Sequence, residues 1–293
     1  MSTLPRIVDG IHEIAHEYDW FVVDQWGVLH DGYTAHPGAH DCLRALRSIG
    51  PVALISNTSR RVDSARAVLR QLGFSDDLYD ACFTAGELAA RWLEARTVES
   101  AQRLRVFSLL RPPGVDSLLH TVQVDIVQDV DSADVILVEG TDGGARTQHD
   151  ATLQRAQERQ LPLLCGNPDV RSIQPDGSFL WCPGAFAEQY AALGGSVFHF
   201  GKPRPGIYEA ARTATGGRSR GLAFGDSLEH DVAGAKSAGL AAVFVTRGIH
   251  GPDLGLRPGQ RPRAQSIAAM AQQYGTTVDY AIATFAWRIE SDG

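Results

Sequence analysis

Short apolar runs that end on a glycine or a polar residue, each followed by an amphipathic stretch, recur along this chain and constrain its fold more than any other feature. FVVD (21–24) leads into HDCLRALRSIG, VALISN (52–57) leads into SARAVLRQLGF, and ACFTAG follows. RVFSLL, DVILVEG and PLLCGN carry the rhythm through the middle, and VFHFGK (197–202), GLAFGD (221–226) and AAVFVTRG (241–248) resume it near the end. These runs are too short for stable helices, and they are apolar at both alternating positions, as strands buried on both faces must be. Strand alternating with helix predicts an α/β fold built on a parallel sheet covered by helices.

At 293 residues the chain is long enough for two domains. No apolar run is long enough to span a bilayer, and MSTLPRIVDGIHEIAHEYDW lacks the pattern of a signal peptide, so the expectation is a cytoplasmic protein without a membrane partner. A net charge of -7 argues against general nucleic-acid binding, which draws on clustered Lys and Arg. Cys42, Cys82, Cys165 and Cys182 form no C-x-x-C pair and read as buried, reduced thiols. His36 and His40 have a metal-ligand spacing, but Pro37 and Gly38 between them break the helix it would need. Residues 250–265 read as a surface loop, SIAAMAQQYG as a helix, and DYAIATFAWRIE as a final strand or helix without an evident role.

In open parallel sheets, ligands gather at the carboxyl ends of the strands. Four such ends here carry reactive side chains: Asp24 after the first run, Ser56 and Asn57 after the second, Lys202 after VFHF, and Asp226 after GLAFG with Asp231 shortly beyond. Together they supply a carboxylate nucleophile, a hydroxyl, an amide, a fixed cation and carboxylates able to hold a hard metal ion. Taken singly, each has a plainer reading, as a helix cap, a turn residue or a solvated lysine.

In this order the segments DQWGVLHDG, SNTSRR, GKPRPGIYEAA and GDSLEHDVAGAKSAGL resemble the four motifs of the haloacid dehalogenase-like superfamily, and the resemblance covers most of the chain. GVLHDG, GNPDVRSIQPDG and PGAFAEQYAALGG are similar to class IIA members, among which are phosphatases of nucleotides, sugar phosphates, phosphoglycolate and pyridoxal phosphate. The resemblance implies a Rossmann-like, doubly wound catalytic core (1–86 plus 196–293) with an inserted α/β cap domain (87–195). It implies a phosphatase acting on a small phosphorylated metabolite through an aspartyl-phosphate on Asp24, with Ser56 and Lys202 as catalytic partners. Mg2+ would be held by Asp24, the Trp26 carbonyl, Asp226 and Asp231. Asn57, Arg60, Asn167, Asp169 and Arg171 would contact phosphate or substrate, although an N-P-D turn and exposed arginines at a helix start also account for these positions. A homodimer through the cap is a further expectation.

Trp26 departs from that pattern, since such phosphatases place there an aspartate that protonates the leaving oxygen. An indole N–H only donates and does not titrate usefully, so it is no general acid, and losing one typically costs about 100- to 10,000-fold with a poor leaving group. Three readings follow. The protein is a phosphatase for good leaving groups, or one with a borrowed proton carrier such as His30, itself otherwise a loop histidine facing water. It is a catalytically weakened protein that binds a phosphorylated ligand or a partner, with Trp26 stacking on a flat group. Or it resembles the 2-haloacid dehalogenases, against which the two carboxylates of GDSLEHD count.

Overall fold

The computed structural model describes residues 4–100, 102–110, 117–173, 179–255 and 261–289. In chain order the main elements are β1 (Arg6–Ile7), β2 (Trp20–Asp24), α1 (Ala39–Ile49), β3 (Val52–Ser56), α2 (Val62–Gln71), β4 (Ala81–Thr84) and α3 (Ala85–Ser100). Then come β5 (Arg105–Ser108), β6 (Asp125–Val127), β7 (Val135–Val138), α4 (Asp150–Glu158), β8 (Leu163–Cys165), β9 (Arg171–Ile173), β10 (Phe179–Trp181), α5 (Pro183–Ala192) and β11 (Val197–His199). The chain continues through α6 (Pro205–Ala214), β12 (Gly221–Gly225), a π-helical turn (Leu228–Val232), α7 (Ala233–Ser237), β13 (Ala241–Val245), α8 (Ala264–Gln273) and β14 (Tyr280–Ile282).

The backbone clusters into two compact units, one of residues 1–56, 66–83 and 202–293, the other of residues 57–65 and 84–201. The first is built on a seven-stranded sheet in the order β1-β14-β13-β12-β2-β3-β4. Every pairing with a defined register in it is parallel. From β2 the chain runs outward to β3 and β4 on one side, while β12, β13 and β14 fill the other, so β2 and β12 flank the point where the winding reverses. That doubly wound order leaves an open crevice beyond the carboxyl ends of those two strands.

Burial explains why these segments are strands. All five residues of β2, of β3 and of β12 are buried, as strands covered on both faces require. Helix α1 shows the complementary pattern: Ala39, Cys42, Leu43 and Leu46 face inward at helical spacing, and charged residues take the outer side. The C-terminal segment gains a role, because β14 pairs with both β13 and β1, and Phe285 is fully buried with its ring 5.2 Å from that of Phe224. Burying such a ring stabilises by about 2–3 kcal/mol.

The second unit carries a five-stranded parallel sheet, β11-β8-β7-β5-β6, and a two-stranded antiparallel ribbon of β9 and β10. Its core lies on both sides of that sheet, around Ile136, Leu163 and Phe186 on one face and Leu93, Val106 and Leu137 on the other. The segment 57–65 joins this unit through Arg61, which donates to Glu87 at 2.7 Å, to Glu94 at 3.2 Å and to Thr121 at 3.0 Å. The four cysteines are buried and form no disulfide, as expected. Among the described residues no helix is long and apolar enough to cross a membrane.

Candidate active site

In the first unit β2 ends on Asp24, and the registers of its neighbours bring Ser56 and Asp226 to the same edge of the sheet. Asp24 lies beside Ile55, one residue before Ser56, and Val23 lies beside Phe224, two before Asp226. Three acidic side chains meet there: Asp24, Asp226 and Asp231 are buried, with carboxylate oxygens all within 4.8 Å of one another. Lys202 lies among them with only 3% of its surface exposed. Its Nζ is 2.5 Å from Asp24 Oδ1 and 2.7 Å from Asp231 Oδ1.

The loops around the acids hold them from behind. Asp226 accepts the Ile249 N–H at 2.8 Å, in the turn that follows β13. Asp231 accepts the Ser227 N–H at 3.1 Å through its other oxygen, and the π-helical turn that carries it starts on the Ser227 side chain, which accepts the His230 N–H. Tyr208, buried on α6, donates its hydroxyl to the Asp231 carbonyl at 3.2 Å. Gly27, with φ at +80°, and Gly248 lie so close to the Asp226 carboxylate that neither position has room for a side chain.

Three buried carboxylates against one ammonium leave an excess of negative charge. Burial pushes the Asp24 carboxyl well above the usual carboxylate range, Asp231 pushes it further, and Lys202 offsets only part of this. For Lys202 burial acts downward, but Asp231 and Asp24 outweigh it and hold the ammonium well above its ordinary value. Hard oxygen donors, close together and short of positive charge, fit a divalent cation.

Of the residues singled out in the sequence, Asp24, Lys202, Asp226 and Asp231 form this cluster, and Ser56 is buried at the end of the adjoining strand. The Trp26 ring is 54% exposed, with its six-membered ring lying on Gly32, whose φ is +91°. His30 is not a water-facing histidine: it is buried, its Nδ1 accepts the Gly32 N–H at 3.0 Å, and burial pushes its pKa down to about 4. His40 stacks on Phe74 with ring centroids 4.1 Å apart, a packing role.

The second unit gathers a different set. Asn57 donates to Asp169 at 2.9 Å, and the Asp169 N–H donates to the Asn167 side chain at 2.9 Å, so the N-P-D turn and Asn57 form one hydrogen-bonded group. Arg60 and Arg171 are exposed and stand apart from that group's hydrogen bonds. Within the loop GNPDVRSIQPDG, residues 174–177 lie outside the described residues, as do 256–260 of the surface loop at 250–265. The Ile249 N–H, the Tyr208 hydroxyl and the two crowded glycines escaped the sequence reading. A backbone donor has no residue signature, and only the TRGI that closes the β13 run marked that turn.

Comparison with known proteins agrees with this geometry. Residues 21–125 match the family model described as haloacid dehalogenase-like hydrolase, and residues 199–269 match a second one of the same kind, so that together they span more than half of the chain. The chain is 28% identical over 250 residues to D-glycerol 3-phosphate phosphatase of Mycobacterium tuberculosis, covering 81% of this chain and 65% of that protein, just under two thirds of its length. A crystal structure of a haloacid dehalogenase-like hydrolase from Brucella suis is 25% identical, with a TM-score of 0.76 over 94% of this chain and 99% of that one. A glycerol phosphate phosphatase from Mycobacterium tuberculosis, solved in complex with magnesium, shares the fold at 22% identity, with a TM-score of 0.61 over 88% of this chain and 78% of that one. With its four strand-end motifs, its doubly wound sheet and these matches, the chain belongs to the haloacid dehalogenase-like hydrolases.

Proposed function

We propose that this protein is a magnesium-dependent phosphatase that hydrolyses a small phosphorylated metabolite through an aspartyl-phosphate on Asp24. The observation that carries this reading is the cluster of Asp24, Asp226 and Asp231 closed around Lys202 at the carboxyl ends of β2 and β12. Those three carboxylates and the Trp26 carbonyl would hold Mg2+, which when bound supplies positive charge that keeps the acids ionised and offsets charge on the phosphoryl oxygens.

The chain's own residues then have defined tasks. One Asp24 oxygen attacks phosphorus in line with the leaving oxygen, the ester P–O bond breaks, and its electron pair departs with the substrate oxygen. Lys202 fixes the Asp24 carboxylate through their 2.5 Å contact and keeps a charge in place without rearrangement during the reaction. Ser56 offers a hydroxyl at the next strand end. Water then attacks phosphorus and frees the carboxylate. Asn57, Asn167, Asp169, Arg60 and Arg171 are candidates for holding the rest of the substrate, the two arginines for a second anionic group. We take the setting to be the cytoplasm, the partner a small molecule and the assembly a homodimer through the second unit, which would act as the cap.

A second reading, a phospho-ligand-binding protein with weakened catalysis, draws on the half-exposed indole at position 26, where a proton donor would serve turnover. Phosphate release from aryl, acyl, sugar and nucleotide phosphates, with magnesium or with chelator, separates the two. We expect magnesium-dependent release by the wild type and its loss by more than about 1,000-fold in a folded Asp24→Asn variant. Equal release by that variant would remove Asp24 as nucleophile. Silence across the panel, with magnesium-dependent binding of orthophosphate, would favour the second reading.

A further inference from the structure

Position 26 supplies no proton, and several polar groups around the carboxylates already have partners. Lys202 donates to both Asp24 and Asp231. The Tyr208 hydroxyl is spent on the backbone carbonyls of His230 and Asp231, at 3.3 and 3.2 Å. Nδ1 of His30 accepts the Gly32 N–H, and Nε2 of His250 accepts the Leu228 N–H at 3.2 Å. Each of these atoms is already engaged by a protein partner.

What the neighbouring loops offer instead is exposed apolar surface. The Trp26 indole is seated on Gly32, which a side chain there would displace, and meets the His30 ring edge-on at 5.9 Å, so its orientation is set while more than half its surface stays open. Tyr33, next to Gly32 in the chain, is 68% exposed. Ile249, whose N–H holds Asp226, is 44% exposed. Trp26, whose neighbour Gly27 lies against Asp226, and Ile249, whose N–H Asp226 accepts, are exposed apolar side chains on the loops that hold the buried charged cluster, and they suit a ligand with an ionic end and a flat apolar end.

We propose that the substrate is an aryl-type phosphate monoester, whose leaving group departs as a phenolate without a proton from the protein and rests against the Trp26 indole. The proposal rests on the phosphatase reading above. The balance is complete without an acid: the Asp24 O–P bond forms, the aryl O–P bond breaks, and the phenolate carries the electron pair into solvent. In the second step water's oxygen bonds to phosphorus, one of its protons passes to a phosphoryl oxygen while the other stays on the incoming oxygen, and dihydrogen phosphate leaves as Asp24 regains its carboxylate.

The test measures kcat/KM with magnesium for 4-nitrophenyl, phenyl and cyclohexyl phosphate and glycerol 3-phosphate, using the wild type, Trp26→Asp and Trp26→Ala. For the wild type we expect a fall of more than about 100-fold from the nitrophenyl to the alkyl esters. Trp26→Asp should narrow that gap by about 100-fold by restoring a proton donor. Trp26→Ala should keep the steep dependence and raise KM for the aryl esters several-fold. The wild-type series decides the leaving-group claim even if a variant folds poorly. Equal wild-type turnover of aryl and alkyl esters would overturn the proposal and leave the phosphatase standing, whereas no magnesium-dependent turnover of any ester would overturn the phosphatase reading itself. An unchanged aryl KM in Trp26→Ala would remove the indole contact.

Discussion

A methyl group at Gly248 would lie 1.9 Å from Asp226 Oδ2, and one at Gly27 would lie 2.1 Å from the same oxygen. Side chains do not approach so closely, so Gly248→Ala must turn the carboxylate away from the Ile249 N–H. Because a shift of that size in a reacting group is felt strongly, we expect Gly248→Ala to lower magnesium-dependent phosphate release on the order of 100-fold while circular dichroism stays unchanged. At Gly27 the positive φ adds backbone strain of about 1–2 kcal/mol to the same clash. Neither glycine could be singled out in the sequence, since what each must avoid is an atom brought in by another strand. Asp24 and Lys202 were legible because an apolar run that stops on a charge announces a strand end, and strand ends in such sheets face the ligand.

Segment 57–65 shows how one turn of a helix can hold a loop. In the first turn of α3, Glu87 accepts from Arg61 at 2.7 Å, from Arg91 at 3.1 Å and from the Val62 N–H at 3.4 Å. Burial pushes the Glu87 carboxyl up, but Arg61, the Val62 N–H and Arg91 outweigh it and hold it below its ordinary value. A depressed carboxyl contributes stability above its unfolded pKa and loses it as the pH falls through the folded one. Glu87→Gln should therefore cost about 2 kcal/mol in urea unfolding at pH 7, with the difference from wild type shrinking below about pH 4. Most strands of both sheets were readable from apolar runs, and the helix at 264–273 from its pattern. The ribbon of β9 and β10 was not, since RSI sits in a polar turn-rich stretch and FLW is too short an apolar run to type by periodicity. β14 stayed ambiguous between strand and helix because periodicity cannot type a short apolar run.

At the scale of the whole molecule the carboxylate cluster is a debt of charge that a bound cation settles. Magnesium should raise the melting temperature by several degrees, since a ligand at a hundred times its Kd stabilises by about 2.7 kcal/mol. Asp226→Asn should abolish that shift, which a thermal melt with and without magnesium would show. The four cysteines carry a different consequence. Cys42 and Cys82 belong to the first unit, Cys165 and Cys182 to the second, and all are buried. Burial pushes the thiol of Cys42 well above its ordinary pKa, that of Cys165 to about 12 and that of Cys182 to about 11. The native protein should thus react slowly with thiol reagents, and each unit holds its own pair of buried reporters. Colour from such a reagent, followed by peptide mapping, would time the opening of each half separately without a single engineered label.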